Sequence, residues 1–151
     1  MWIAIDGPDG TGKSTQVALL SAGLRKAGKR VLTVVEPSRE PIGETIRSLA
    51  ASNAGYPALA EAMLFTADRY QQVTKTIVPA VMGGSIVVGD RSILSSLAYQ
   101  KGRDPCVGDE FMDRLIHVDY KLRSPDLIIL LDATWGTVSR RIRTRGLKSD
   151  E

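Results

Sequence analysis

Short apolar runs alternate along the chain with longer amphipathic stretches. The first run, Trp2 to Ile5, stops abruptly at Asp6-Gly7. Val31 to Val35 is short and rich in β-branched residues, which predicts a strand buried in a parallel sheet. Ser85 to Gly89 is a similar run closed by Asp90, and Leu127 to Leu131 is another, closed by Asp132. Between the runs, Val17, Leu20 and Leu24 recur at helical spacing, and Ile42 to Ala51 reads as a short helix. The longest element extends from Pro57 to about Met82. There Leu59, Met63, Thr66, Tyr70, Val73 and Ile77 step by three or four residues and define one helical face. Further helices are predicted from Ile93 to Gln100, from Asp109 to Leu122, and from a Thr134 cap to about Arg145. Strands alternating with helices give an α/β fold with a parallel sheet. Ligands of such sheets sit at the carboxyl ends of the strands, which places residues 7–14, Glu36, Asp90 and Asp132 on one rim.

Composition narrows the class. The chain has 151 residues, 43% hydrophobic and 25% charged, enough for one domain with a core and unlike a disordered chain. Its net charge of +3 is too small to argue for a nucleic-acid groove, but suits a phosphorylated ligand if the cations cluster. The single Cys106 forms no internal disulfide, which favours a reducing compartment. No signal peptide or membrane-length apolar run is visible, so a soluble, cytoplasmic protein is expected. His117 and Cys106 have no matching ligand or catalytic set in the sequence.

The chemistry begins at the end of the first strand. Gly7, Gly12, Lys13 and Ser14 satisfy the spacing of a phosphate-binding loop in the required strand–loop–helix context. The loop comprises Gly7, Pro8, Asp9, Gly10, Thr11, Gly12, Lys13, Ser14 and Thr15. Its backbone N–H groups and the helix N-terminus favour an anion. Lys13 supplies a charge to terminal phosphates, and Ser14 offers a hydroxyl to magnesium, with Asp90 as the second carboxylate-side partner. Asp132 has the same strand-ending position, but a simple turn into a helix explains it equally well.

Arg91, Ser95 and Tyr99 are spaced by four and share a helical face, with Ser96 and Gln100 beside them. Such a row can hold a phosphate at one end and a base at the other, although an ordinary amphipathic helix has the same pattern. Phe65 and Arg69 are also four apart, an aromatic ring and a guanidinium fit for a base and a phosphate. Arg140, Arg141, Arg143 and Arg145 crowd the last predicted helix.

Taken in order, IAIDGPDGTGKST (3–15), EPSREPIGETIR (36–47), LFTADRYQQV (64–73), VVGDRSILSSLAYQ (87–100) and PDLIILLD (125–132) resemble the thymidylate kinases, a family of P-loop nucleoside monophosphate kinases. The resemblance implies a three-layer α/β/α fold and transfer of the ATP γ-phosphate to dTMP with Mg2+, by a protein that is typically a homodimer. It implies that Asp9 reaches the deoxyribose 3′-hydroxyl and that Phe65 stacks on thymine. Arg69 and Arg91 would bind the acceptor phosphate, and Ser95, Ser96, Tyr99 and Gln100 would line the base and sugar pocket.

Departures from the family pattern carry expectations of their own. Val35 stands where many members have arginine, and Arg39 is a candidate replacement. Ser92 stands where an aromatic is usual, which would enlarge the pocket or relax base choice. Gly10-Thr11 lacks a loop arginine, which shifts catalytic charge to a lid beginning near 143, with Arg141 and Arg145 as candidates. Four strands against the five that such a sheet needs lead to the expectation that the 151 residues are a fragment of a longer chain. A broader deoxynucleoside monophosphate kinase and a non-catalytic nucleotide-binding module are the alternatives. A GTPase lacks its guanine-reading motif here.

Overall fold

The computed structural model describes residues 1–52, 56–103, 110, 114 and 123–144, with backbone only at 97 and 100–103. The strands are β1 (Trp2–Asp6), β2 (Val31–Val35), β3 (Ile86–Asp90) and β4 (Leu127–Leu130). All pairings are parallel, in the order β2-β3-β1-β4. The chain leaves β1 towards β3 and β2 on one side, and β4 lies on the other. Ligands in open α/β sheets bind at such a reversal, outside the strand ends. The register brings Ile5 and Val35 level with Asp90, and Asp6 level with Leu130, so the acidic strand ends share one rim.

Side chains alternate between sheet faces, and each face has its own core. Trp2 and Val87 pack with Val73 and Ile77 on one face, while Ile5 and Val88 pack with Val17 on the other. Complete burial of an aliphatic side chain of this size contributes about 1.5–3 kcal/mol. The result is a three-layer arrangement. Helix α1 (Lys13–Lys26) covers one face. The continuation of helix α3 (Ala58–Gln72), from Val73 onward, covers the other. Helix α2 (Pro41–Ala51) links β2 to α3. No helix among the described residues is long and apolar enough to cross a membrane.

The single long helix expected over 57–82 divides. After α3 comes a π-helical turn at Val73–Ile77, then α4 (Val78–Met82). Pro79 has no N–H, and its ring crowds the carbonyl four residues back, so the helix widens just before it. The expected apolar stripe is also divided. Val73 and Ile77 are buried, but Met63 and Tyr70 are 49% and 48% exposed. The inward face of α3 carries Ala58, Ala62, Asp68, Arg69 and Gln72 instead. Small and polar residues face inward because this part of α3 borders the rim rather than the apolar sheet.

The third strand is shifted by one residue, to end on Asp90 itself. Helix α5 runs Ile93–Arg103, longer than expected, and α6 runs Trp135–Thr144. Of the helix expected over 109–122, only Glu110 and Arg114 are described, both helical, and His117 lies outside the described residues, as do Cys106 and the lid segment from Arg145 onward.

Candidate active site

The loop after β1 is shaped by one close approach. Gly7 has φ +139°, and a Cβ there would lie 2.2 Å from the Leu131 carbonyl oxygen. Only glycine allows β1 to turn this tightly beside β4. The turn opens directly into α1, whose N-terminus has no side-chain cap and no acidic residue in its first turn. Its orphan N–H groups and dipole therefore face the loop and favour an anion.

Lys13 is 6% exposed. Its ammonium donates to the carbonyls of Gly7 at 2.8 Å and Pro8 at 2.9 Å, and to Asp9 Oδ1 at 3.3 Å. Arg91, at the turn from β3 into α5, donates to the same Asp9 oxygen. Burial raises the Asp9 pKa, but Arg91 and Lys13 outweigh it and hold the carboxyl below its ordinary value. For Arg91, burial works against the charge, and Asp9 and Tyr99 together more than restore it, so the pKa is raised.

Arg91 is held from several sides. Its φ is +80°, unusual for a residue other than glycine, and its N–H donates to the Ile5 carbonyl at 2.9 Å. Its guanidinium donates to Ser95 Oγ at 3.2 Å and lies 5.5 Å from the centre of the Tyr99 ring, a cation–π distance. Burial, then the charge of Asp9, raises the Tyr99 pKa, against the opposing effect of Arg91. The phenol is therefore neutral at physiological pH.

Ser14 Oγ donates to Asp90 Oδ2 at 2.5 Å. Hydroxyl and carboxylate thus meet between the loop and β3. These hard oxygen donors fit a magnesium ion, which takes few protein ligands and completes its shell with water and substrate phosphates. Among the described residues no group of three or more His, Cys, Asp or Glu gathers to form an all-protein metal cage. Asp132, exposed, accepts its own neighbour's N–H, Ala133, at 2.8 Å, which is turn chemistry.

Along α3, Arg69 is 3% exposed and forks onto Glu36, with Nη2–Oε2 at 2.7 Å. It also donates to Ser96 Oγ at 2.9 Å, joining α3 to α5. Of the two arginines expected at the acceptor phosphate, Arg69 is thus deeply buried and already neutralised by a carboxylate. Phe65 is half-buried one turn earlier on the same helix. Arg39 is exposed on the loop after β2. That loop is pinned by Asp68, whose carboxylate accepts the Ser38 N–H at 2.6 Å and the Ser38 hydroxyl.

Arg141 on α6 donates to the carbonyls of Gly10 and Thr11, both at 3.2 Å, while Val138 and Ile142 of the same helix lie over Gly10. The last helix therefore sits directly on the phosphate loop. Arg145 and the side chain of Gln100 lie outside the described residues.

Ser92 is 1% exposed and donates to Asp6 Oδ2 at 2.6 Å. It faces β1 through that bond. Sequence reasoning passed over Asp6, although it ends a strand as Glu36, Asp90 and Asp132 do. It also passed over Asp68, next to a residue it singled out.

Comparisons with known proteins point to one family. The family model described as thymidylate kinase matches residues 5–151. A probable thymidylate kinase of Caldivirga maquilingensis is 39% identical over 148 residues, covering 97% of this chain and 70% of the relative. A thymidylate kinase of Trichlorobacter lovleyi is 40% identical, covering 96% and 69%. The crystal structure of thymidylate kinase from Ehrlichia chaffeensis superposes with a TM-score of 0.75 at 31% identity, over 95% of this chain and 78% of that one.

Proposed function

The chain belongs to the thymidylate kinase family, and we propose how its residues divide the ATP-dependent phosphorylation of dTMP. One observation carries the reading. Lys13, the cation of the phosphate loop, and Arg91, the cation at the end of β3, converge on the single carboxylate of Asp9. Two phosphate-binding positions thus face one another across that residue. ATP phosphates belong to the loop, Gly7 to Thr15, and the acceptor phosphate to Arg91.

The side chain of Arg91 is 22% exposed against 4% for Arg69, which makes Arg91 the principal acceptor-phosphate ligand. Arg69, tied to Glu36 and Ser96, forms the wall between phosphate and base. Phe65, one turn away, stacks on thymine, and Tyr99 flanks the sugar beside Asp9. An oxygen of the dTMP phosphate attacks the γ-phosphorus in line. The bond to the ADP oxygen breaks, and ADP leaves. No general base is required, because a phosphate monoester is largely deprotonated at neutral pH. Catalysis is positioning and electrostatic stabilisation by Lys13, Arg91 and an arginine of α6 or the lid, Arg141 or Arg145. Ser14 and Asp90 would hold Mg2+, which would supply positive charge to the phosphates during transfer.

The burial of Ser92 against Asp6, facing β1, supports dTMP over a broader acceptor range. We place the protein in the cytoplasm and assign residues 1–151 to one P-loop kinase domain. The exposed Met63 and Tyr70, on the outer face of α3, support association of two copies there. Calorimetric titration with dTMP tests the base site. Phe65→Ala is expected to weaken binding by ~1–3 kcal/mol, the range for base–aromatic stacking. Unchanged affinity would return Phe65 to a packing role.

A further inference from the structure

Asp6 closes β1 and is 3% exposed. Its Oδ1 accepts the Gly7 N–H and the Ser95 hydroxyl, both at 2.8 Å, and its Oδ2 accepts the Ser92 hydroxyl at 2.6 Å. A carboxylate only accepts, and a serine hydroxyl has one proton. Both serines therefore spend that proton on Asp6. Their lone pairs are left for other donors. Ser92 Oγ accepts the Leu94 N–H at 3.3 Å, and Ser95 Oγ accepts Arg91 Nη1 at 3.2 Å. Donation runs one way, from Arg91 to Ser95 to Asp6.

We propose that Asp6 is a positioning residue for Arg91, acting through the Ser95 hydroxyl. This rests on the reading of Arg91 as the acceptor-phosphate ligand. Without the carboxylate, the Ser95 hydroxyl loses the acceptor that fixes its rotation, and its lone pairs are no longer held in place for the guanidinium. Asp6 lies on β1 and Ser95 on α5. The network therefore ties the turn carrying Arg91 to the strand that launches the phosphate loop. Gly7 N–H makes the first bond of this loop, to the same Asp6 oxygen.

The test compares Asp6→Ala, Asp6→Asn and Ser95→Ala by steady-state kinetics and by NMR of the Arg91 side-chain Nε–Hε group. Asp6→Ala and Ser95→Ala are each expected to raise the dTMP KM about tenfold, the loss of one hydrogen bond to a charged group, with the ATP KM unchanged in Ser95→Ala, which keeps the Gly7–Asp6 bond of the phosphate loop. Asp6→Asn should recover most of the dTMP KM, because the Gly7 N–H holds the amide oxygen where Ser95 needs an acceptor. The double variant Asp6→Ala/Ser95→Ala should show no further loss, since the two share one path. The Arg91 signal should stay resolved in the wild type and in Asp6→Asn, and broaden or shift in both alanine variants.

An Asp6→Asn variant as impaired as Asp6→Ala would overturn the proposal. So would a parallel rise of both KM values in Ser95→Ala, or an Arg91 signal indifferent to the alanine changes. Should Asp6→Ala not fold, Ser95→Ala, at a half-buried position, carries the same comparison. A wild-type protein that made no dTDP would sink the functional reading, and the NMR comparison would still decide the positioning role.

Discussion

One oxygen of Asp9 receives both Lys13 and Arg91. Burial alone would raise its pKa, and the two cations reverse that and lower it. A carboxylate with a depressed folded-state pKa adds stability that is fully present above its unfolded pKa and is lost as pH falls through the folded one. Asp9→Asn is therefore expected to flatten the acid limb of the stability curve below about pH 4, with the slope near neutrality unchanged. The change is modest, because the Asp9 side chain is 45% exposed and solvent screens it. Urea midpoints of both proteins from acid to neutral pH measure it, and parallel curves would contradict the pairing. At this scale the sequence was legible where spacing is dictated by chemistry. Lys13 and Ser14 stand out because a phosphate loop tolerates little else. The contact between Asp6 and Ser92 did not stand out, because the two meet across 86 residues and no local pattern announces it.

Elements were legible wherever burial is apolar and regular. The parallel strands follow from their β-branched runs, and β2 was bounded correctly. The α3 stripe was misread in part because the helix borders the site, so its inward face is alanine, aspartate, arginine and glutamine. Periodicity of apolar residues then reports the outer face at Met63 and Tyr70 as if it were core. The loop between β2 and α2 shows how tightly these elements are pressed together. Gly43, in the first turns of α2, would place a Cβ 2.0 Å from the Ser38 carbonyl oxygen and 2.6 Å from its backbone nitrogen. Arg47 secures the same loop by donating to the carbonyls of Pro37 and Ser38. Asp68 holds it from α3. There is no flexible side chain to give way, so Gly43→Ala is expected to destabilise the fold by about 1–3 kcal/mol or more, the range for overpacking. Urea denaturation gives the value, and an unchanged midpoint would show that loop and helix can separate without cost.

Across the whole molecule, the strand order puts the carboxyl ends of β1 and β3 side by side, and the remaining elements bring their polar groups to that point. α1 contributes its N-terminus, α5 its serines and Tyr99, α3 its Phe65 and Arg69, and α6 covers the loop with Arg141. This convergence was legible only as far as the rim rule extends. It located the acidic strand ends, but not the Arg69–Glu36 pairing or the seating of α6 on Gly10. Both depend on how separate helices pack. The central claim is that this convergence transfers the γ-phosphate of ATP to dTMP. Product analysis by anion-exchange chromatography, with Mg2+, ATP and dTMP, tests it most directly. The account predicts dTDP and ADP in equal amounts, with turnover lowered ~10²–10³-fold in Lys13→Ala, the usual cost of losing one electrostatic donor to the transition state. ADP without dTDP, or a Lys13→Ala variant as active as the wild type, would contradict it.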